Sequence, residues 1–153
     1  MVEFYKTIDG RVTELSGFTE GCWVNMVHPS SDELEEIARV ARVEEEFIRA
    51  ALDPEESSRV ETEDDQLLMI VDIPMVEKSS VEDGGQMFST LPMGIVVGQN
   101  AVITVCLDDS IILRSIAEGA VKGVHTAMRT RFVFQILLRV AGRFLKNLRM
   151  IER

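Results

Sequence analysis

The sequence is poor in the residues from which metal knuckles, redox pairs and acid–base sites are usually built: of 153 residues, two are cysteine and two are histidine. Cys22 and Cys106 lie far apart, each inside an apolar, strand-like stretch (CWVNMV and VITVCL). That placement excludes a knuckle or a C-x-x-C pair and predicts two buried, reduced thiols in a cytosolic protein. His28 and His125 are equally remote from one another and read as a strand-end and a helix-start residue rather than as bases. There is no G-x-G-x-x-G, P-loop or H-E-x-x-H stretch, and no nucleophile beside a base, so the chain is not expected to be an enzyme. Long apolar runs are missing too. The longest candidate, LLMIVDIPMV, is broken by Asp72 and Pro74, well short of the roughly 18 apolar residues a membrane-spanning helix needs. The opening VEFYKTIDG is charged and alternating, unlike a signal peptide.

What is abundant is acid. The net charge is −10, which argues against a nucleic-acid partner, yet it is unevenly spread. From Thr126 onward there are seven Lys or Arg and one acidic residue, Glu152, against nine basic and 25 acidic residues before it. An acidic body is therefore joined to a basic tail, a polarity that suits acidic partners on the same protein or its neighbours. The acidic clusters (Glu33/Glu35/Glu36, Glu44/Glu45/Glu46, Glu55/Glu56, Asp64/Asp65, Asp108/Asp109) lack the regular ligand spacing of an EF-hand loop. They read as solvated helix faces and caps, and no metal ligand and no cofactor is assigned to them.

Periodicity orders the chain. VEFYKTIDGRVTEL predicts two strands joined at Asp9-Gly10, a dipeptide suited to a tight hairpin. CWVNMVH is a third strand, stopped by Pro29. Ser30 and Glu33 then have capping-box spacing before a helix whose apolar face is Leu34, Ile37, Ala38 and Ala41. A short helix, EEEFIRAAL, presents Phe47, Ile48, Ala51 and Leu52 and ends before Pro54. RVETEDDQLLMIVDIPMV predicts two strands with a turn near Asp64-Asp65, and the unbroken LLMIV suggests a central strand covered on both faces. EKSSVEDGG reads as a hairpin tip, with Gly84-Gly85 as turn residues. MFSTLPMGIVV and AVITVCL are strands around a GQN turn, with Pro92 at a bulge or an edge. DDSIILRSIAEG is a helix capped by Asp109 or Ser110.

The last segment, TRFVFQILLRVAGRFLKNLRMIER, predicts a long helix starting near His125 or Thr126, with no Gly, Asn or Pro to end it. Phe134, Leu137, Ala141, Phe144, Leu148 and Ile151 recur at steps of three and four and make one apolar stripe. Arg139, Arg143, Lys146 and Arg153 make a basic stripe beside it. The expected fold is α/β (α+β): a mixed sheet sandwiched between helices over residues 1–124, ending in a protruding helix over residues 125–153.

The order of three segments, WVNMVHPSSDELEEIARV, FIRAALDPEESSRVETEDDQLLMIVDIP and IVVGQNAVITV, resembles the N-terminal cytoplasmic domain of CorA-like magnesium and divalent-cation transporters. Trp23, Pro29 and Glu33 match that family's Trp-led strand and its Pro before an acidic helix. Arg59 and Glu61 match its Arg-x-Glu leading into an apolar strand; Asn100 and Thr104 match the turn and strand of its hairpin. The resemblance implies a seven-stranded mixed sheet within a funnel-shaped homopentamer, placed on the cytoplasmic side of the cell membrane. It implies that the terminal helix is the first of several leading to a transmembrane region, and that the apolar stripe faces helices lying outside this chain. As an isolated fragment the chain would be a monomer or dimer. The parent transporter would carry magnesium, with this domain sensing and gating rather than conducting. The family's divalent sensor positions fall on Ala50 and Thr130, beside Arg49, Arg129 and Arg131, and none of these is a divalent ligand. Two other readings stand beside this one: the corresponding domain of a related zinc exporter, and a free-standing cytosolic domain that binds a partner helix.

Overall fold

A computed structural model describes residues 1–77 and 87–152. The chain runs β1 (Val2–Ile8), β2 (Arg11–Leu15), β3 (Cys22–Val27), α1 (Ser31–Ala41), α2 (Glu45–Ala50), β4 (Arg59–Glu63), β5 (Gln66–Glu77), β6 (Met87–Val97), β7 (Ala101–Cys106), α3 (Ile111–Ala117) and α4 (Arg129–Ile151). The first turn follows from its residues: Asp9 and Gly10 both have positive φ, the geometry a two-residue hairpin demands and Asp-Gly tolerates. Asp64 likewise turns the chain between β4 and β5 with positive φ. At α1 the capping box is complete. The Ser30 hydroxyl accepts from the Glu33 N–H, and the Glu33 carboxylate accepts from the Ser30 N–H. That hydrogen bond holds the Glu33 carboxyl below its ordinary range. Ser110, not Asp109, caps α3 by accepting from the N–H groups of Ile112 and Leu113.

The seven strands form one sheet in the order β2-β1-β3-β7-β6-β5-β4. An antiparallel unit β2-β1-β3, with β1 in the middle, and an antiparallel meander, β4 to β7, meet at a single parallel seam in which β3 pairs with β7 from Cys22↔Ala101 to Val27↔Cys106. The α1–α2 crossover covers one face; α3 and α4 cover the other. β7 is the central strand, and all six of its residues are buried. The apolar run in β5 lies one strand in from the edge. It is covered because Leu68 and Ile70 pack under α1 and α2 while Met69, Val71 and Ile73 pack under α3 and α4. Pro92 pairs in register with Asp72, one residue beyond Met93, the last β6 residue paired with β7. It therefore sits where β6 has an open flank, not at a bulge. The predicted hairpin tip, with Gly84-Gly85, lies outside the described residues.

Polar side chains staple the seam. Trp23 donates its indole N–H to Thr104 Oγ1 at 2.8 Å, and Thr104 donates to Asn25 Oδ1 at 3.0 Å. All three residues are buried, so each partner is needed to offset the desolvation of the others. Both bonds cross from β3 to β7. On the opposite face, Gly94 passes so close to α2 that a Cβ there would lie 2.7 Å from Ala51 Cβ.

Replacing Thr104 by valine keeps the shape but strands the Trp23 N–H and Asn25. We expect a loss of about 1–3 kcal/mol in folding free energy, read as a lower denaturant midpoint with an unchanged slope. An unchanged midpoint would show that the staple contributes nothing net.

Candidate functional site

The helix that singles this domain out is α4, and its local sequence explains how it is held. Thr126, expected as a helix start, spends its hydroxyl on the Gly21 carbonyl at 3.0 Å. Its N–H donates to Thr7 Oγ1, the Thr7 N–H donates back to Thr126 Oγ1, and the Thr7 hydroxyl donates to the Val124 carbonyl. These bonds stitch the linker to β1, so α4 begins at Arg129, later than the 125–126 start expected from sequence. The Arg129 guanidinium hydrogen-bonds to the Gly98 carbonyl in the β6–β7 turn.

From there Phe132, Val133, Ile136, Val140 and Asn147 face the sheet and are buried. Phe132 meets Trp23 edge-on, with ring centroids 5.3 Å apart, and Trp23 in turn lies 4.9 Å from Tyr5. Three rings thus run from β1 across β3 to the helix. The row Phe132–Ile136–Val140, at steps of four, carried the signal for this buried face. The helix is apolar on a second side as well, and periodicity alone does not say which side is covered.

That second side is where most of the expected stripe falls. Phe134 is 61% exposed, Leu148 54% and Ile151 59%, with Ala141 also exposed; Leu138 and Leu145, not in the expected set, are 71% and 55% exposed. Leu137 and Phe144 are different. They are half-buried and pack on the same core as Phe132, so they sit on the border between the two faces. Arg139, Lys146 and Arg149 are exposed and Arg143 half-exposed along a third side; Arg153 lies outside the described residues. An amphipathic helix buries one stripe. This helix has two, and only one of them is covered.

The remaining residues singled out by sequence are packing residues. Trp23 and Thr104 belong to the seam staple, Pro29 is buried before α1, and Glu33 closes the capping box. Arg59 opens β4 and pairs with both Glu56 and Glu61. The Asn100 carbonyl accepts from the Gly21 N–H at 2.7 Å, at the start of the seam. Cys22 and Cys106 are buried, and burial pushes the Cys106 thiol up to about 12 and raises that of Cys22, keeping both neutral. His28 is exposed at the end of β3, where its N–H donates to the Cys106 carbonyl.

Ala50 is half-buried at the end of α2, next to Arg49, which pairs with Glu45. Thr130 is exposed at the start of α4, on the other side of the sheet. Neither supplies a carboxylate, and Arg49, Arg129 and Arg131 beside them oppose a cation; these residues do not fit a divalent ion. Among the described residues no three His, Cys, Asp or Glu side chains come together as a metal-binding group.

One ion cluster joins residues more than a hundred positions apart, beyond the reach of local sequence spacing. Arg114 on α3 bonds both carboxylate oxygens of Glu3 on β1, at 3.0 and 3.1 Å, and also reaches Asp109 at 3.2 Å. Tyr5 donates its hydroxyl to Glu3 and accepts from Arg114. The Arg114 hydrogen bonds hold the Glu3 carboxyl below its ordinary range although partial burial works the other way. Burial, then Glu3, pushes the Tyr5 phenol up to about 12. This cluster fastens α3 to the sheet.

A family model for CorA-like Mg2+ transporter proteins matches residues 19–153. No curated protein is matched. Among solved structures, the soluble domain of CorA from Methanocaldococcus jannaschii is similar with a TM-score of 0.74 and 19% identity, over 97% of this chain and 60% of that one. The ZntB cytoplasmic domain from Vibrio parahaemolyticus gives 0.70 and 20%, over 98% and 61%. The complete CorA magnesium transporter from M. jannaschii gives 0.71 and 18%, over 97% and 48%. The chain thus spans about half to three-fifths of the length of these structures, and the likeness is one of fold.

Two predictions follow from the geometry of this site. Glu3 has a lowered folded pKa, so the stability it contributes is complete above the ordinary carboxylate value of 4.5 and is lost as pH falls from there through the lowered value. Arg114→Met should cost about 1 kcal/mol at neutral pH, discounted for partial exposure. It should also flatten the fall in melting temperature between about pH 5 and pH 3; an unaltered acid profile would refute the assignment. On α4, Leu148→Asp should leave stability within about 0.5 kcal/mol of the parent, whereas Phe144→Asp should cost about 1–3 kcal/mol, because only Phe144 packs on the core. Equal losses in thermal melts would mean that the two faces of α4 are wrongly distinguished.

Proposed function

The chain belongs to the CorA-like Mg2+ transporter protein family, and on that premise we propose that it is a regulatory and gating domain on the cytoplasmic side of a divalent-cation transporter. The observation that carries this reading is the two-faced α4. A helix clamped to a sheet by one apolar stripe, and presenting another to solvent, is suited to relaying movement between the sheet body and helices packed on its free side. In the full-length protein those helices lead to the transmembrane region. The domain self-associates there as part of a homopentamer, while the isolated domain is a monomer or a concentration-dependent dimer through the stripe. No helix among the described residues is long and apolar enough to cross a membrane, so conduction and the choice of ion are assigned to other parts of the protein. Magnesium is the proposed cargo, in keeping with the family.

Regulation in this reading works without a divalent ion at Ala50 and Thr130, since neither position offers an oxygen-rich, anionic donor set. The same stripe also suits a second reading, a free-standing domain that takes a partner helix. The two part company on the coding sequence past Arg153. The transporter requires two apolar segments about 20 residues long there, and magnesium uptake by the continuous protein in proteoliposomes. An immediate stop codon and a freely soluble domain would favour the second reading.

For the isolated domain, magnesium chloride and sodium chloride at matched ionic strength should raise the melting temperature equally, by screening the acidic body alone. A saturable, magnesium-specific rise at about millimolar concentration, within the range of weak oxygen-ligand sites, would contradict the absence of a regulatory site.

A further inference from the structure

A hollow of about 690 Å³ lies between α3 and α4, floored by Ile111, Ile112 and Leu138 and edged by Arg139, Arg143 and Lys146. A second, of about 540 Å³, continues along α4 beside Leu145, Lys146, Arg149 and Met150. Gly142 lines both. Lys146 lines both as well, so the two hollows run along α4 as one trough, with the one α4 position without a side chain at its middle. A Cβ at Gly142 would meet nothing within 4 Å, so glycine is not required there by the fold of this domain. It would, however, govern how closely another helix could approach, because the separation of packed helices is set by the side chains at their point of contact. Leu138 and Leu145, one turn to either side, supply apolar contacts for such a helix.

The charge of the trough is equally one-sided. No acidic residue occurs between Arg129 and Ile151, and among the described residues Arg139, Arg143, Lys146 and Arg149 have no ion-pair partner. We propose that the trough seats an acidic amphipathic helix, with small and aliphatic residues against Gly142 and carboxylates facing the four cations. This deepens the preceding reading by specifying the chemistry of the helix that α4 receives. A lipid surface fits less well at the first hollow, where Ile111, Ile112 and Ser115 of α3 wall one side and make it concave, whereas a helix lying on a membrane needs a convex apolar face.

The test uses the 153-residue chain and two synthetic helical peptides of about 20 residues, enough for five turns of helix. Both carry Leu and Ala on one face; the other face is Glu in one and Lys in the other. Vesicles of phosphatidylserine and of phosphatidylcholine complete the set. The Glu peptide should bind saturably and more weakly as salt rises, with the Lys peptide at least about tenfold weaker, a difference of about 1.4 kcal/mol. Gly142→Leu should weaken the Glu peptide by a similar factor without lowering the melting temperature, since leucine is the better helix former. Arg143→Glu with Lys146→Glu should do the same and remove the salt dependence. Equal binding of the two peptides, or full binding by Gly142→Leu, overturns the proposal. So does binding to phosphatidylserine vesicles with none to the Glu peptide. A failure here leaves the proteoliposome result untouched, so the trough and the transporter reading stand or fall separately.

Discussion

The parallel seam between β3 and β7 is the constraint on which the rest of the molecule depends. The two antiparallel units would each be a small sheet with two exposed edges; joining them removes one edge from each and creates a central strand with no wet face. A strand buried on both sides requires a helical layer on both sides. The chain meets that requirement with α1 and α2 in the crossover that the parallel connection itself demands, and with α3 and α4 after the last strand. The Trp23–Thr104–Asn25 staple lies on the α3–α4 side of this seam, and Trp23 is the ring on which Phe132 rests. Sheet registration and placement of α4 are thus one event, fixed by the same indole.

That coupling gives the family resemblance a physical content. Residues that stand out as a motif, among them Trp23, Pro29, Asn100 and Thr104, are not chemical groups awaiting a substrate. They hold the seam and the entrance to α1. The surface this domain offers most distinctly is α4, whose second apolar stripe is exposed. The free stripe, the basic row and the trough at Gly142 lie on one helix whose opposite side is locked to the sheet, so a helix docked there would bear on the core with little slack.

Local features were legible in the sequence. The Asp9-Gly10 hairpin, the Ser30/Glu33 capping box and the four buried residues of α1 all lie within a few residues of their causes, and the two helical layers follow from element order. What could not be read locally was pairing at long range. The LLMIV run looked central because helices cover both faces of β5, while the true centre, β7, is set by a partner strand some eighty residues earlier in the chain. Thr126 resembled a helix cap, but its hydroxyl is committed to Gly21, which sequence spacing cannot reveal. In α4 two apolar stripes compete. The polar Asn147 interrupts the buried one, so periodicity favoured the stripe that turned out to be mostly exposed. Leu137 and Phe144, on the boundary, belong in part to both.

Hydrogen exchange along α4 tests most directly whether the first part of this helix is committed to the sheet and its last part held for a partner. In the 153-residue chain, amides from Phe132 to Val140 should exchange about as slowly as those of β7, and amides from Leu145 to Ile151 should exchange far faster. In the continuous protein the second group should slow by about a hundredfold or more, the effect of roughly 2.7 kcal/mol of added protection. Strong protection of Leu145 to Ile151 already in the isolated chain, or no gain in the continuous protein, would contradict the account.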